Sequence, residues 1–82
     1  MSNFSEIDFV PIKPQNGLIG FASVIFMDSI YLGSIGVHTR LDGGVRLLFP
    51  QNRGINTFYP ISKAIGLELE QRVYRKYKEL IP

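Results

Sequence analysis

The chain has no cysteine and a single histidine, His38, among its 82 residues. A disulfide framework is therefore excluded, and one imidazole without thiols cannot supply the ligands of an ordinary zinc site. Domains of this size bury a limited share of their surface and often depend on a disulfide, a metal or a partner subunit. We therefore expect no metal and a partner subunit, most simply a second copy of the chain.

Long apolar runs are also missing. The longest run, residues 18–27, is about half the ~20 residues that a membrane-spanning helix needs. The first nine residues carry Glu6 and Asp8 and lack the basic start and the apolar stretch of a secretory signal. These features predict a cytoplasmic protein with no membrane partner.

Groups that could form a catalytic site are scarce. His38 falls at the end of a predicted strand, and Ser23 and Ser34 lie within apolar strands without the Gly-x-Ser-x-Gly surround of a hydrolase nucleophile. No glycine is followed by the Lys-Ser or Lys-Thr pair of a phosphate-binding loop. We expect a protein that is not an enzyme, with no cofactor and no small-molecule substrate.

The first half of the chain has the pattern of adjacent β-strands. Residues 7–12 are rich in β-forming side chains but include Pro11, which favours an edge strand because proline lacks an N–H. Asn16-Gly17 tolerates the positive φ angles of a tight hairpin turn. Residues 18–27 are apolar on both faces, which is typical of a strand in the middle of a sheet with both faces covered.

Further strands are predicted beyond this hairpin. Residues 30–38 resume the β pattern, and residues 45–49 alternate well enough for a half-buried strand that Pro50 ends. Residues 51–56 are polar and predict a loop. Residues 57–61 favour a short edge strand before the last element.

The last element is predicted to be a helix over residues 63–81, with Ser62 as its N-cap. Its main apolar stripe consists of Ile65, Leu69, Val73, Tyr77 and Leu80. Leu67, Tyr74 and Ile81 widen the stripe to roughly 200° of arc, which is more than one sheet needs. The extra width predicts a dimer interface at these three residues. The alternative is that Tyr74 and Leu67 are rim residues half covered by the chain's own loops.

Together these patterns predict a single α+β domain over residues 1–82. We expect an antiparallel meander of about four to five strands, followed by one C-terminal α-helix.

Positive charge lies mainly in the C-terminal half, although the net charge of +2 is too small to indicate nucleic-acid binding by itself. Residues 72–78 interleave basic and aromatic side chains, as nucleic-acid-binding proteins often do. Glu68 with Arg72, and Arg75 with Glu79, are spaced to pair along a helix, so a self-neutralised solvated face is the alternative. The candidate phosphate contacts, with Arg53 first, are Arg53, Arg46, Lys63, Arg72, Arg75 and Lys78.

Several short runs, in order over residues 7–80, carry a resemblance to a known family. They are Gly20-Phe21-Ala22-Ser23-Val24, Ile35-Gly36-Val37, Gly44 with the strand ending at Pro50, Pro60-Ile61, and Val73 with Tyr77. Through these runs the chain resembles the SpoVG family, the small bacterial stage V sporulation or septation regulators.

This resemblance implies an antiparallel sheet with a C-terminal helix, homodimers, and sequence-dependent binding of DNA, and possibly RNA, that regulates gene expression. The family's basic cluster corresponds here to Gln51-Asn52-Arg53, which keeps the arginine. The alternative is a protein-interaction module, in septation or another pathway, that uses the sheet edge or the surface around Tyr74 and binds no nucleic acid.

Overall fold

The computed structural model describes residues 3–80 and confirms an α+β fold of antiparallel strands and one C-terminal helix. The strands and the helix in this part of the chain are β1 (Phe4–Gln15), β2 (Leu18–Phe26), β3 (Ile30–Thr39), β4 (Val45–Leu48), β5 (Gln51–Asn52), β6 (Ile55–Asn56) and α1 (Lys63–Leu80).

The first four strands form one sheet in the order β1-β2-β3-β4, and each strand runs antiparallel to its neighbour. The predicted edge position of the first strand is confirmed, and Pro11 lies on it. Asn16 and Gly17 have φ angles of 52° and 90°, the left-handed conformation that the tight β1–β2 turn requires. The meander therefore follows from local turn chemistry.

Helix α1 covers one face of this sheet. Leu69 and Val73 are its buried residues, and Tyr77 makes an edge-to-face contact with Phe9 of β1, with ring centroids 5.5 Å apart. The buried core consists of Phe4, Phe9, Ala22, Val24, Ile35, Val37, Val45, Leu69 and Val73. The predicted stripe along the helix is confirmed at Ile65, Leu69, Val73 and Tyr77. Leu80, in contrast, is half exposed at the helix end.

The opposite face of the sheet is open. Val10 pairs with Phe21, Phe21 with Gly36, and Gly36 with Leu48, so one row crosses all four strands in register. Val10, Phe21 and Leu48 are 61%, 40% and 43% exposed. The prediction that both faces of β2 are covered is therefore wrong for the single chain, because its one helix reaches only one face.

The segment between β4 and α1 also differs from the prediction. The expected loop at residues 51–56 is a short hairpin, in which Gln51 pairs with Asn56 and Asn52 with Ile55. The expected strand at residues 57–61 is absent, since this segment runs irregularly over the end of the core. Pro60 has no N–H to donate to a ladder, which disfavours a strand in this segment.

Two polar contacts join the helix to the sheet end and to the start of β1. The backbone N–H and side-chain amide of Asn3 donate to the two carboxylate oxygens of Glu68, at 3.0 and 2.9 Å. On the other side of the helix, the Arg40 guanidinium lies 3.0 Å from the Glu70 carboxylate. These contacts fix the helix against both sides of the sheet.

Gly20 lies where β1 and β2 approach closely, and this position generates a stability prediction. A Cβ at Gly20 would lie 2.5 Å from the Val10 carbonyl oxygen and 2.6 Å from the Phe9 ring. We expect Gly20→Ala to lower the free energy of unfolding by about 1–3 kcal/mol, as overpacking does. Urea denaturation followed by circular dichroism measures this loss.

Gly66→Ala is the matched control. A Cβ there meets only Pro60 at 3.5 Å, which is an ordinary contact. Alanine is a better helix former than glycine, so this variant should gain about 0.5–1 kcal/mol. Equal stability of the two variants would show that the β1–β2 approach is not tight.

Candidate nucleic-acid interface

Arg53 lies at the tip of the β5–β6 hairpin. Arg53 and Gly54 have φ angles of 55° and 80°, so both turn residues are left-handed, as a two-residue hairpin turn requires. The N–H of Thr57 donates to the carbonyl of Pro50 at 2.8 Å and closes the base of the hairpin. The hairpin residues are all exposed, so Arg53 is presented to solvent on a short two-stranded ribbon.

Lys63 lies close to β4, the strand that carries Arg46. Lys63 is the first residue of α1, where Ser62 caps the helix by accepting a hydrogen bond from the Ile65 N–H at 3.3 Å. Lys63 and Arg46 line one open depression, although they are distant in sequence. We call Arg46, Arg53 and Lys63 the basic edge. Arg53 is included because only Phe49 and Pro50 separate its hairpin from β4, the strand that carries Arg46.

One carboxylate lies in this depression, that of Glu70. The Arg40 guanidinium pairs with it, at 3.0 Å to one oxygen and 3.2 Å to the other. Arg40 therefore offsets the negative charge that would otherwise oppose Arg46 and Lys63. This pair could not be predicted from the sequence, because Arg40 and Glu70 are brought together only by the packing of α1 on the sheet end.

The other three predicted phosphate contacts lie on α1, away from the basic edge. Arg72 and Arg75 line a second depression together with Ile7 of β1, and Lys78 is exposed in the last turn. The predicted Arg75–Glu79 pair is wrong. Glu79 lies 3.8 Å from Lys76 instead, because residues three apart are also neighbours on a helix.

The six cations differ in whether their side chains already have a partner within the described part of the chain. Within residues 3–80, the side chains of Arg46, Arg53, Lys63, Arg75 and Lys78 make no hydrogen bond or ion pair with one another or with any other residue. Arg72 does have an interaction within the chain. Of the six predicted residues, the structure thus brings Arg46 and Lys63 together and places Arg53 on the adjoining hairpin. The other three lie on α1, away from the basic edge.

Two of the predicted dimer residues, Leu67 and Tyr74, lie on α1. Leu67 is exposed, whereas Tyr74 is half buried against the core and its ring centroid lies 6.3 Å from that of Tyr77. Ile81 lies outside the described residues.

The exposed face of the sheet was not predicted from the sequence, which indicated that both faces of β2 are covered. Val10, Phe21 and Leu48 were the available signal, since they alternate with the core residues along their strands. Tyr31 adds a further exposed ring on the same face, opposite Ile25.

Groups suited to catalysis or metal binding are sparse in the described part of the chain. His38 is half exposed and pairs with Arg46 across β3 and β4. Residues 3–80 contain no group of three or more His, Cys, Asp and Glu side chains placed to hold a metal ion. The one helix described, α1, lacks the apolar length needed to cross a membrane.

Comparison of the chain with protein-family models, with curated proteins and with solved structures gives no match.

The backbone at Arg53 generates a prediction about the hairpin itself. Asparagine adopts left-handed φ angles more readily than arginine. Arg53→Asn should therefore leave the free energy of unfolding unchanged or raise it by up to about 1 kcal/mol in urea denaturation. A decrease of more than about 1 kcal/mol in the free energy of unfolding would mean that the Arg53 side chain supports the fold.

Proposed function

We propose that the chain is a small nucleic-acid-binding regulator of the SpoVG type, which works in the cytoplasm and contacts phosphates through the basic edge. The observation that carries this proposal is the convergence of Arg46 and Lys63 on one depression beside the Arg53 hairpin, without carboxylate partners of their own. Exposed cations of this kind bind the phosphate backbone and release its counterions. No group of the site suggests catalysis, so the proposed role is binding.

The hairpin also supports recognition of duplex DNA. The major groove of B-DNA admits a two-stranded β-ribbon, and Asn and Gln side chains form paired hydrogen bonds with adenine. β5 and β6 form such a ribbon, with Gln51, Asn52 and Asn56 exposed along it and Arg53 at its tip. The amides supply contacts to base edges, while Arg53 and Lys63 supply contacts to phosphates. Single-stranded RNA is the second ligand to test.

The basic edge is tested by removing its charge without disturbing the turn. We expect the double variant Arg53→Asn/Lys63→Ala to bind duplex DNA roughly tenfold more weakly and to lower the salt slope by about two units. Fluorescence polarisation at low and at physiological salt measures both quantities. Adding Arg46→Ala should lower the slope by about one further unit.

The matched control is Arg75→Ala/Lys78→Ala, which removes the same charge from the outer face of α1. Its affinity should stay within about twofold of the unmodified chain if contacts at the basic edge dominate. Equal loss in the two double variants would mean that net charge alone drives binding. Absence of binding at low salt would favour the protein-interaction module.

Self-association is a second proposed property, and the open sheet face supports it. The row of Val10, Phe21 and Leu48 is continuous across the sheet, and exposed apolar patches of this kind mark interaction sites. We propose that a second copy covers it. A single chain of this size has a small core, and β2 carries the apolar residues of a strand that is covered on both faces.

The outer side of α1 is the competing interface. We expect a dimer in sedimentation velocity for the unmodified chain and for Leu67→Asp, and a monomer for Phe21→Asp, because the aspartate would be desolvated between the sheets. Circular dichroism checks that each variant is folded. A monomer from Leu67→Asp and a dimer from Phe21→Asp would place the interface on α1 instead.

A further inference from the structure

An apolar cavity of about 280 Å³ opens at the end of the sheet where α1 begins. Its lining combines the sheet end, the irregular segment before the helix and the first turns of α1. The lining includes Phe4, Phe26, Phe49, Phe58, Tyr59 and Ile65. The cavity adjoins the depression of the basic edge, with which it shares Phe49, Pro60, Ile61 and Ser62, but none of Arg46, Arg53 and Lys63 lines it.

The cavity exists because the sheet extends beyond the helix. α1 begins at Lys63, so only Ile65 and Leu69 of its first turns reach this end of the sheet. The remaining cover comes from residues 57–62, which form no regular structure and therefore lack the close side-chain interlocking of a helix against a sheet. The result is a cleft in the side of the core.

Two aromatic pairs form the walls. The ring centroids of Phe4 and Phe26 lie 5.3 Å apart, and those of Phe49 and Phe58 lie 5.9 Å apart in an edge-to-face contact. Aromatic walls offer both the faces and the edges of rings, an environment that suits a further ring. Phe4 is buried at the inner side, whereas Tyr59 is exposed near the mouth.

Polar groups are almost absent from this lining. No charged side chain is among the described residues that line it. The Ser62 hydroxyl already accepts the Ile65 N–H at 3.3 Å. The Tyr59 hydroxyl makes no hydrogen bond within residues 3–80, so of the two hydroxyls in the lining it is the one whose donor and acceptor are both without a partner in that part of the chain.

We propose that this cavity binds a small, neutral, mainly aromatic molecule, which directs a single hydroxyl or carbonyl group toward Tyr59. A cavity of about 150 Å³ lined by apolar side chains stays dry and holds benzene, so this larger cavity accommodates about two rings. Ligand sites of this kind are concave and apolar and carry few polar groups. A charged ligand would lose its hydration without gaining a partner.

The test uses naphthalene and 2-naphthol, which differ by one hydroxyl. We expect saturable binding of both compounds to the full chain, with 2-naphthol roughly tenfold tighter, about the contribution of one hydrogen bond. Fluorescence titration gives the affinities, and methyl resonances of Ile65 and Leu69 should shift on binding. Tyr59→Phe should abolish the preference for 2-naphthol while naphthalene binds as before.

Ile65→Phe fills the cavity from the helix side and should weaken both ligands by about tenfold. Ile55→Phe is the matched control, because it places the same added ring on the exposed β6 strand outside the cavity. Circular dichroism confirms that both variants are folded. Ile55→Phe should bind like the unmodified chain.

Four results would overturn the proposal. One is the absence of saturable binding up to the solubility of the two compounds. The second is equal binding by Ile65→Phe and Ile55→Phe, and the third is methyl shifts confined to the open sheet face. The fourth is binding that weakens as the protein concentration rises, because it would show that another protein chain occupies the cavity.

Discussion

The packing of α1 against one face of the four-stranded sheet is the contact on which the rest of the molecule depends. Leu69 and Val73 are buried between the helix and the central strands, where Val24, Ile35 and Val37 are fully covered. Burial of apolar area is the main favourable contribution to folding, and this chain has no disulfide to add to it. The Glu68 and Glu70 contacts then hold the helix in place on either side.

One helix cannot cover a sheet of this size. The candidate binding surfaces lie on the parts of the sheet that α1 does not reach. The far face of the sheet keeps Val10 and Phe21 exposed, and the sheet end beyond Lys63 leaves the aromatic cavity. The basic edge lies beside β4, the short outer strand, whose connection to α1 carries the Arg53 hairpin. A mismatch in size between helix and sheet thus leaves an apolar face on one side, and an apolar cavity adjoining a charged edge at the end where α1 begins.

Features set by local chemistry were predictable from the sequence. Asn16-Gly17 specified the first hairpin, Pro11 indicated an edge strand, and Ser62 with the apolar spacing after it specified α1. Features set by long-range contact were not predictable. The pairing of Arg40 with Glu70 depends on where α1 lies, and the β5–β6 hairpin depends on Arg53 adopting a left-handed φ that arginine seldom takes. The candidate phosphate contacts stay predictions, and their division between two surfaces could be seen only from the fold.

The hydrogen bond between Asn3 and Glu68 joins residues 65 positions apart in the chain, with all the described strands between them in sequence. On the ribosome the strands emerge first, and the helix that covers them is made after every strand. The apolar face of the meander therefore stays uncovered until α1 has left the exit tunnel. Because contacts between distant residues also slow folding, the nascent sheet is exposed to other chains during that interval. A helix placed before the strands would instead be available to cover each strand as it emerged.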